Sequence, residues 1–174
     1  MEFPLEICAN WRHILLIIDA SSIIFGWDNY PIEQFPGLWE WLSNEIDRQT
    51  LSISEVALEE VGDVCPECAN WLIDQSIKNI HINEQIIKTS KEIANLFSLK
   101  DHKFNGSGVD ENDIFIIATA KVIGKGLISN EAKQVPPPKE IRNSKIPLVC
   151  SHPSVAVECK NFLEHLKSSG AVFR

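Results

Sequence analysis

The chain has 174 residues, 44% of them apolar and 23% charged, with a formal net charge of −8. That size and composition suit a single globular domain over residues 1–174 and exclude wholesale disorder. The negative charge argues against a nonspecific nucleic-acid coat protein, although a carboxylate-lined metal site is itself acidic before cations bind.

Residues 1–10 read as a loosely ordered leader. Ile14 to Ile18 is apolar on both faces, the pattern of a strand at the centre of a parallel sheet. The run is too short to cross a bilayer and is followed at once by Asp19, with no small-residue cleavage site. The expectation is a cytoplasmic protein without signal peptide or membrane association. Pro31 and Phe35-Pro36-Gly37 lead into a helix with a core stripe of Leu38, Trp41, Leu42 and Ile46. Leu51 to Ser54 predicts a brief strand, with Ser52 or Ser54 capping a helix over Val56 to Val61. Pro66 bends or ends that run, and Trp71 to Ile73 belongs to a further helical turn.

Asn79 to Asn83 is a candidate strand, and Ile86, Ile87, Ile93, Ala94 and Phe97 mark the next helix. The loop Asn105 to Gly108 precedes a helix carrying Ile114, Ile117, Ala118 and Val122, punctuated by Gly124 and Gly126. Leu127 to Ser129 starts a strand, residues 133–145 form a basic, proline-rich surface loop, Ile146 to Cys150 reads as the final strand and Val157 to Leu166 as a closing helix. Alternating strands and helices define an α/β fold, a three-layer sandwich around a central, mostly parallel sheet. Ligands of such sheets gather at the carboxyl ends of the strands.

That rule singles out Asp19, with Ser21 and Ser22 beside it. Taken alone, Asp19 is explained as well by a turn or helix cap, and Glu59 and Glu60 by solvated helix positions. Asp113 suits the first turn of a helix capped by Asp110, and Glu131 an exposed loop. Taken together, a strand-end Asp, a helix Glu, a helix-start Asp and a strand-end Glu place four carboxylates at one sheet edge. Like charges so close are costly unless a cation neutralises them, and oxygen donors suit Mg²⁺ or Mn²⁺.

Leu16-Ile-Ile-Asp19-Ala-Ser21, Val56-Ala-Leu-Glu-Glu60-Val, Asp113-Ile-Phe-Ile-Ile-Ala-Thr-Ala120 and Leu127-Ile-Ser129-Asn-Glu131 resemble, in order, the four acidic motifs of the PIN-domain ribonucleases. The stretches Trp27 to Trp39 and Lys145 to Cys150 resemble a less characterised bacterial and archaeal PIN-like subgroup. The resemblance implies a Rossmann-like sandwich and a VapC-like endoribonuclease leaving a 5′-phosphate and a 3′-hydroxyl. It implies Mg²⁺ or Mn²⁺ on Asp19, Glu60, Asp113 and Glu131, with Ser21 and Ser129 supporting the metal site. Glu60 is chosen over Glu59 because the family acid directly precedes a hydrophobic residue, here Val61. The last motif more often carries Asp where Glu131 stands, and Asp110 is an alternative or assisting ligand. The expected partners are an RNA substrate, an antitoxin protein and a second copy of the chain. The competing reading is a catalytically inactive PIN-like binding module. A phospho-acceptor receiver domain ranks last, because no acidic pair follows the first strand.

Other constellations are weaker. Cys65-Pro-Glu-Cys68 is a lone C-x-x-C, for which Cys150 and His152 are the only tidy additional zinc ligands. Gly124-Lys-Gly126 lacks P-loop spacing. Trp27, Trp39, Trp41 and Trp71 read mainly as packing residues, and only one of Trp39 and Trp41 need face the core. Lys133, Lys139, Arg142 and Lys145 read equally well as an RNA-phosphate contact or a solvated loop.

Overall fold

The computed structural model describes residues 15–99, 106–124 and 126–173. The leader and Asn105 lie outside these residues. Five strands, β1 (Leu16–Ile18), β2 (Leu51–Ser54), β3 (Lys78–Ile80), β4 (Gly126–Ile128) and β5 (Cys159–Lys160), form one sheet in the order β3-β2-β1-β4-β5. All four pairings are parallel, with Ile17 opposite Ser52 on one side and Leu127 on the other. Ile17, Ile18 and Ile53 are fully buried, which explains the unbroken apolar run of the central strand.

Helices α1 (Ala20–Asn29) and α2 (Pro36–Asp47) lead from β1 to β2, and α3 (Glu55–Val64) and α4 (Pro66–Asp74) from β2 to β3. Helices α5 (Glu84–Leu96) and α6 (Glu111–Ile123) return the chain to β4. Then α7 (Ile146–Ser151) precedes β5, and α8 (Phe162–Ser169) closes the chain. With right-handed crossovers, this strand order sets α1–α4 against one face of the sheet and α5–α7 against the other. Among the described residues no helix is long and apolar enough to cross a membrane.

The helix ends follow local chemistry. Ser54 accepts the Ala57 amide to cap α3, and Asn83 accepts the Gln85 and Ile86 amides to cap α5. Asp110 and Asp113 form a reciprocal capping box on α6, which ends at Gly124 with φ 68°. Asn161 and Glu164 repeat the capping box on α8.

The structure differs from the sequence reading in several places. Helix α1 is not announced by the sequence, because Ser, Ile, Gly and Trp are middling or poor helix formers. It forms because tertiary packing seats it: a Cβ at Gly26 would stand 2.8 Å from the Phe162 ring. In α2 it is Trp39, not Trp41, that joins Leu38, Leu42 and Ile46 in the core. Trp39 packs edge-on against Trp27 and Trp71 and donates its indole N–H to the Tyr30 carbonyl at 2.6 Å. Trp41 is half-buried, beside His165 and Phe173.

Ile146 to Cys150 is helix α7 rather than the final strand, since Pro147 lacks the N–H of a ladder donor and sits well in a first helical turn. The last strand is instead β5, cut from the front of the expected closing helix, with the Asn161 cap starting α8 after it. The β3 strand also begins and ends earlier than the expected Asn79 to Asn83 segment.

Candidate active site

The chain steps from β1 to β2 in one direction and from β4 to β5 in the other, so the crevice between the carboxyl ends of β1 and β4 is the switch point of the sheet. Asp19 leaves β1 there, its amide extending the ladder to the Ile128 carbonyl at 2.9 Å. It occupies the N-cap position of α1, where its carbonyl accepts the Ser22 and Ile23 amides while its carboxylate faces the serines. Its Oδ2 accepts from the Ser21 hydroxyl at 2.5 Å and the Ser129 hydroxyl at 2.9 Å. Burial raises its carboxyl above the usual range, and the two hydroxyls with the Ala20 and Ser21 amides offset only part of that effect.

The hydroxyls are themselves fixed. Ser21 Oγ accepts the Asn130 amide at 3.0 Å, and Ser129 Oγ accepts the Glu131 amide at 3.4 Å. Asn130 Oδ1 accepts from Ser22 Oγ at 3.2 Å and from the Phe162 amide at 2.8 Å, fastening the exit of β4 to α1 and to the start of α8. Asn130 is a positioning residue that the sequence reading missed; its place directly after the Ser129 strand end was the only signal.

The other acids gather around Asp19. Glu60 on α3 is raised first by burial and then by the charges of Asp19, Asp110 and Glu131. Asp113 is pushed up to about 8, chiefly by burial, with Asp110, Glu131 and Asp19 adding repulsion and the Asp110 amide opposing it. Glu131 is raised by burial and by Asp19 and Asp110, against the pull of the Ile146 amide and the Lys145 charge. The structure thus brings Asp19, Glu60, Asp113 and Glu131 into one electrostatic neighbourhood, and adds Asp110 to it. Glu59 lies elsewhere, lining a groove with Glu55, Leu58, Asn79 and His81.

The cluster is gathered without being collapsed. Among the described residues, no three Asp, Glu, His or Cys side chains form a ready metal cage. Three of the carboxylates are turned to local donors: Asp19 to the serines, Asp113 to the Asp110 amide at 2.9 Å, and Glu131 to the Ile146 amide at 2.7 Å. Repulsion explains the spacing. The donor chemistry nevertheless fits a hard divalent cation, because every candidate ligand is a carboxylate or hydroxyl oxygen.

In the basic loop, Lys133 pairs with Glu164 at 2.5 Å and Arg142 with Glu140 at 2.6 Å, whereas Lys139 is exposed and Lys145 acts on Glu131. The suggested zinc set does not assemble. Cys65 and Cys68 neighbour each other at the start of α4, while Cys150 neighbours Cys159.

A parallel sheet in this order, with acids at its switch point, defines a PIN-like α/β domain with a VapC-like fold. Chains of two solved structures share that fold. One is the DNA-bound VapBC from Salmonella typhimurium, with TM-score 0.54 and 16% identity over 86% of this chain and 98% of that one. The other is VapBC2 from Rickettsia felis bound to a DNA fragment from its promoter, with TM-score 0.53 and 13% identity over 85% and 98%. Residues 16–173 match a family described as a domain of unknown function, DUF4411, and the chain belongs to that family. No curated protein sequence matches.

Proposed function

We propose that this protein is a divalent-metal-dependent endoribonuclease acting at the carboxyl edge of β1 and β4. The observation that carries the reading is the gathering of Asp19, Glu60, Asp113 and Glu131 in one neighbourhood, where burial raises all four and repulsion adds to it at Glu60, Asp113 and Glu131. A protein retains such a cluster at a cost in stability, and function is the common reason for it. Asp19, Glu60, Asp113 and Glu131 would hold Mg²⁺ or Mn²⁺, with Asp110 at the edge. The bound cation would supply charge neutralisation at the phosphate and a lowered pKa for an attacking water.

The protein's own part is placement. Ser21 and Ser129 hold Asp19 Oδ2 in one orientation, and the amides of Asp110 and Ile146 do the same for Asp113 and Glu131. Lys139 and Lys145 are the cations of the loop not engaged in the Glu140 and Glu164 ion pairs, and they would meet RNA phosphates. An acidic crevice of this kind also suits inhibition by a partner protein inserting an Arg or Lys, as a toxin would be held by its antitoxin. Co-purification of a small protein with the chain from its native host tests that partner.

The enzyme reading is tested by incubating pure protein with single-stranded and structured RNA in Mn²⁺. Cleavage should stop in EDTA and fall by orders of magnitude in folded Asp19→Asn. Cleavage that persists in EDTA, or full activity in Asp19→Asn, refutes the mechanism. The second reading is a binding module without turnover. A folded wild type inert on every RNA in Mn²⁺ selects it.

A further inference from the structure

Two thiols from different elements meet behind the acidic cluster. Cys150 is buried on α7, Cys159 is half-buried on β5, and the two thiols are neighbours. The backbone holds them together as well, because the Cys150 carbonyl accepts the Val157 amide at 3.1 Å just ahead of β5. The pairing of β5 with β4 places Cys159 opposite Leu127. Access is one-sided: Cys159 lines a cavity of about 340 Å³ with Lys133, Gln134, Pro147, Leu148 and Ser151, and Cys150 does not. One thiol is therefore reachable, and the other lies buried beside it.

We propose that Cys150 and Cys159 are an oxidant-modified pair, forming a reversible intramolecular disulfide when a hydroperoxide reaches Cys159. The Cys159 sulfur attacks one peroxide oxygen and the O–O bond breaks. With hydrogen peroxide this gives a sulfenic acid and one water, which takes up the thiol proton. The Cys150 sulfur then attacks the Cys159 sulfur, forming the S–S bond and breaking the S–O bond. The departing hydroxide takes the Cys150 proton as a second water. Two sulfurs lose one electron each, and the peroxide is reduced by two.

Closing the S–S bond to about 2.05 Å draws α7 and β5 together. The movement is felt at the acidic cluster, because Ile146 at the start of α7 donates to Glu131. The chemistry itself stands whether or not that cluster cleaves RNA.

The test uses the full chain and mass spectrometry. Both thiols fall in one tryptic peptide, residues 146–160, and cleavage after Glu158 separates them, so linkage is read directly. Cys65 with Cys68 and Cys8 fall in peptides 49–78 and 1–12. Native protein is treated with hydrogen peroxide, quenched, and alkylated in denaturant. Peptide 146–160 should lose two hydrogens and resist alkylation in proportion to peroxide, and dithiothreitol should restore it. In Cys150→Ser, Cys159 should accumulate as a sulfenic acid that dimedone labels. In Cys159→Ser, Cys150 should stay unlabelled. A fully alkylatable peptide 146–160 while peptide 49–78 takes the disulfide overturns the proposal. So does oxidation of Cys159 to sulfinic acid in the wild type with no linkage to Cys150; neither result needs a variant to fold.

Discussion

Asp113→Asn separates the cost of the acidic cluster from its use. Asp113 has a folded pKa of about 8 against an ordinary value of 3.8, so between those values the folded state holds a proton that the unfolded chain has lost. Stability therefore falls as pH rises through that window and levels off above it. At pH 7.5 the shift sets a ceiling of roughly 5 kcal/mol on the cost of this one carboxyl, at about 1.4 kcal/mol per unit. Relaxation and water entry leave about 1–3 kcal/mol of it observable. Asn keeps an oxygen for the Asp110 amide and its own amide for Asp110 Oδ1, so the capping box survives. In EDTA at pH 7.5 the variant should be the more stable protein, by about 2–10 °C in melting temperature for a chain of this size. Its stability should also fall less between pH 5 and 8 in urea titrations. Saturating Mn²⁺ should shrink or reverse the difference, because only the wild type offers the full ligand set. A variant no more stable than wild type in EDTA, with the same pH slope, refutes the electrostatic account of the cluster.

Glu60→Gln should lower RNA cleavage by about 10²-fold or more, as loss of a metal ligand does, while Glu59→Gln stays within a few-fold; equal losses in RNase assays would remove the case for Glu60. Mn²⁺ at about 100 times its dissociation constant should stabilise the wild type by roughly 2.7 kcal/mol. Scanning calorimetry should show that gain abolished in Asp19→Asn, and an equal gain in both proteins would place the ion elsewhere. Gly26→Ala should destabilise by about 1–3 kcal/mol in urea, because the new methyl would meet Phe162 at 2.8 Å. A neutral result would mean that α1 and α8 are not packed as described.

The sheet and most of the acidic site were legible because each rests on local pattern. The apolar run ending at Asp19 specifies a central strand, Ser54 specifies a cap, and the Asp110 and Asp113 spacing specifies a capping box. What escaped depends on partners distant in sequence. Helix α1 has weak intrinsic propensity and is held by packing against α8, which begins more than a hundred residues later. Trp39 and Trp41 are chemically alike, and their roles were decided by Trp27, Trp71 and the Tyr30 carbonyl. Asn130 became recognisable only when Ser22 and the Phe162 amide arrived at its side chain.

The misreading of Ile146 to Cys150 bears most directly on the site. In a strand the Ile146 amide would belong to the ladder. At the start of α7 it is one of the amides that the helix leaves without a partner, and it donates to Glu131 Oε2. The shorter arm of Asp at position 131 is what the family motif leads one to expect, and the extra methylene of Glu carries the carboxylate to that amide. Glu131 differs by one methylene from the Asp of the motif it resembles, and its carboxylate meets the Ile146 amide. The same bond ties α7 to the acidic cluster, and Cys150 on that helix neighbours Cys159 on β5. The Ile146 amide biases the Glu131 carboxylate toward α7, so the packing of α7 on β5 contributes to where that carboxylate lies.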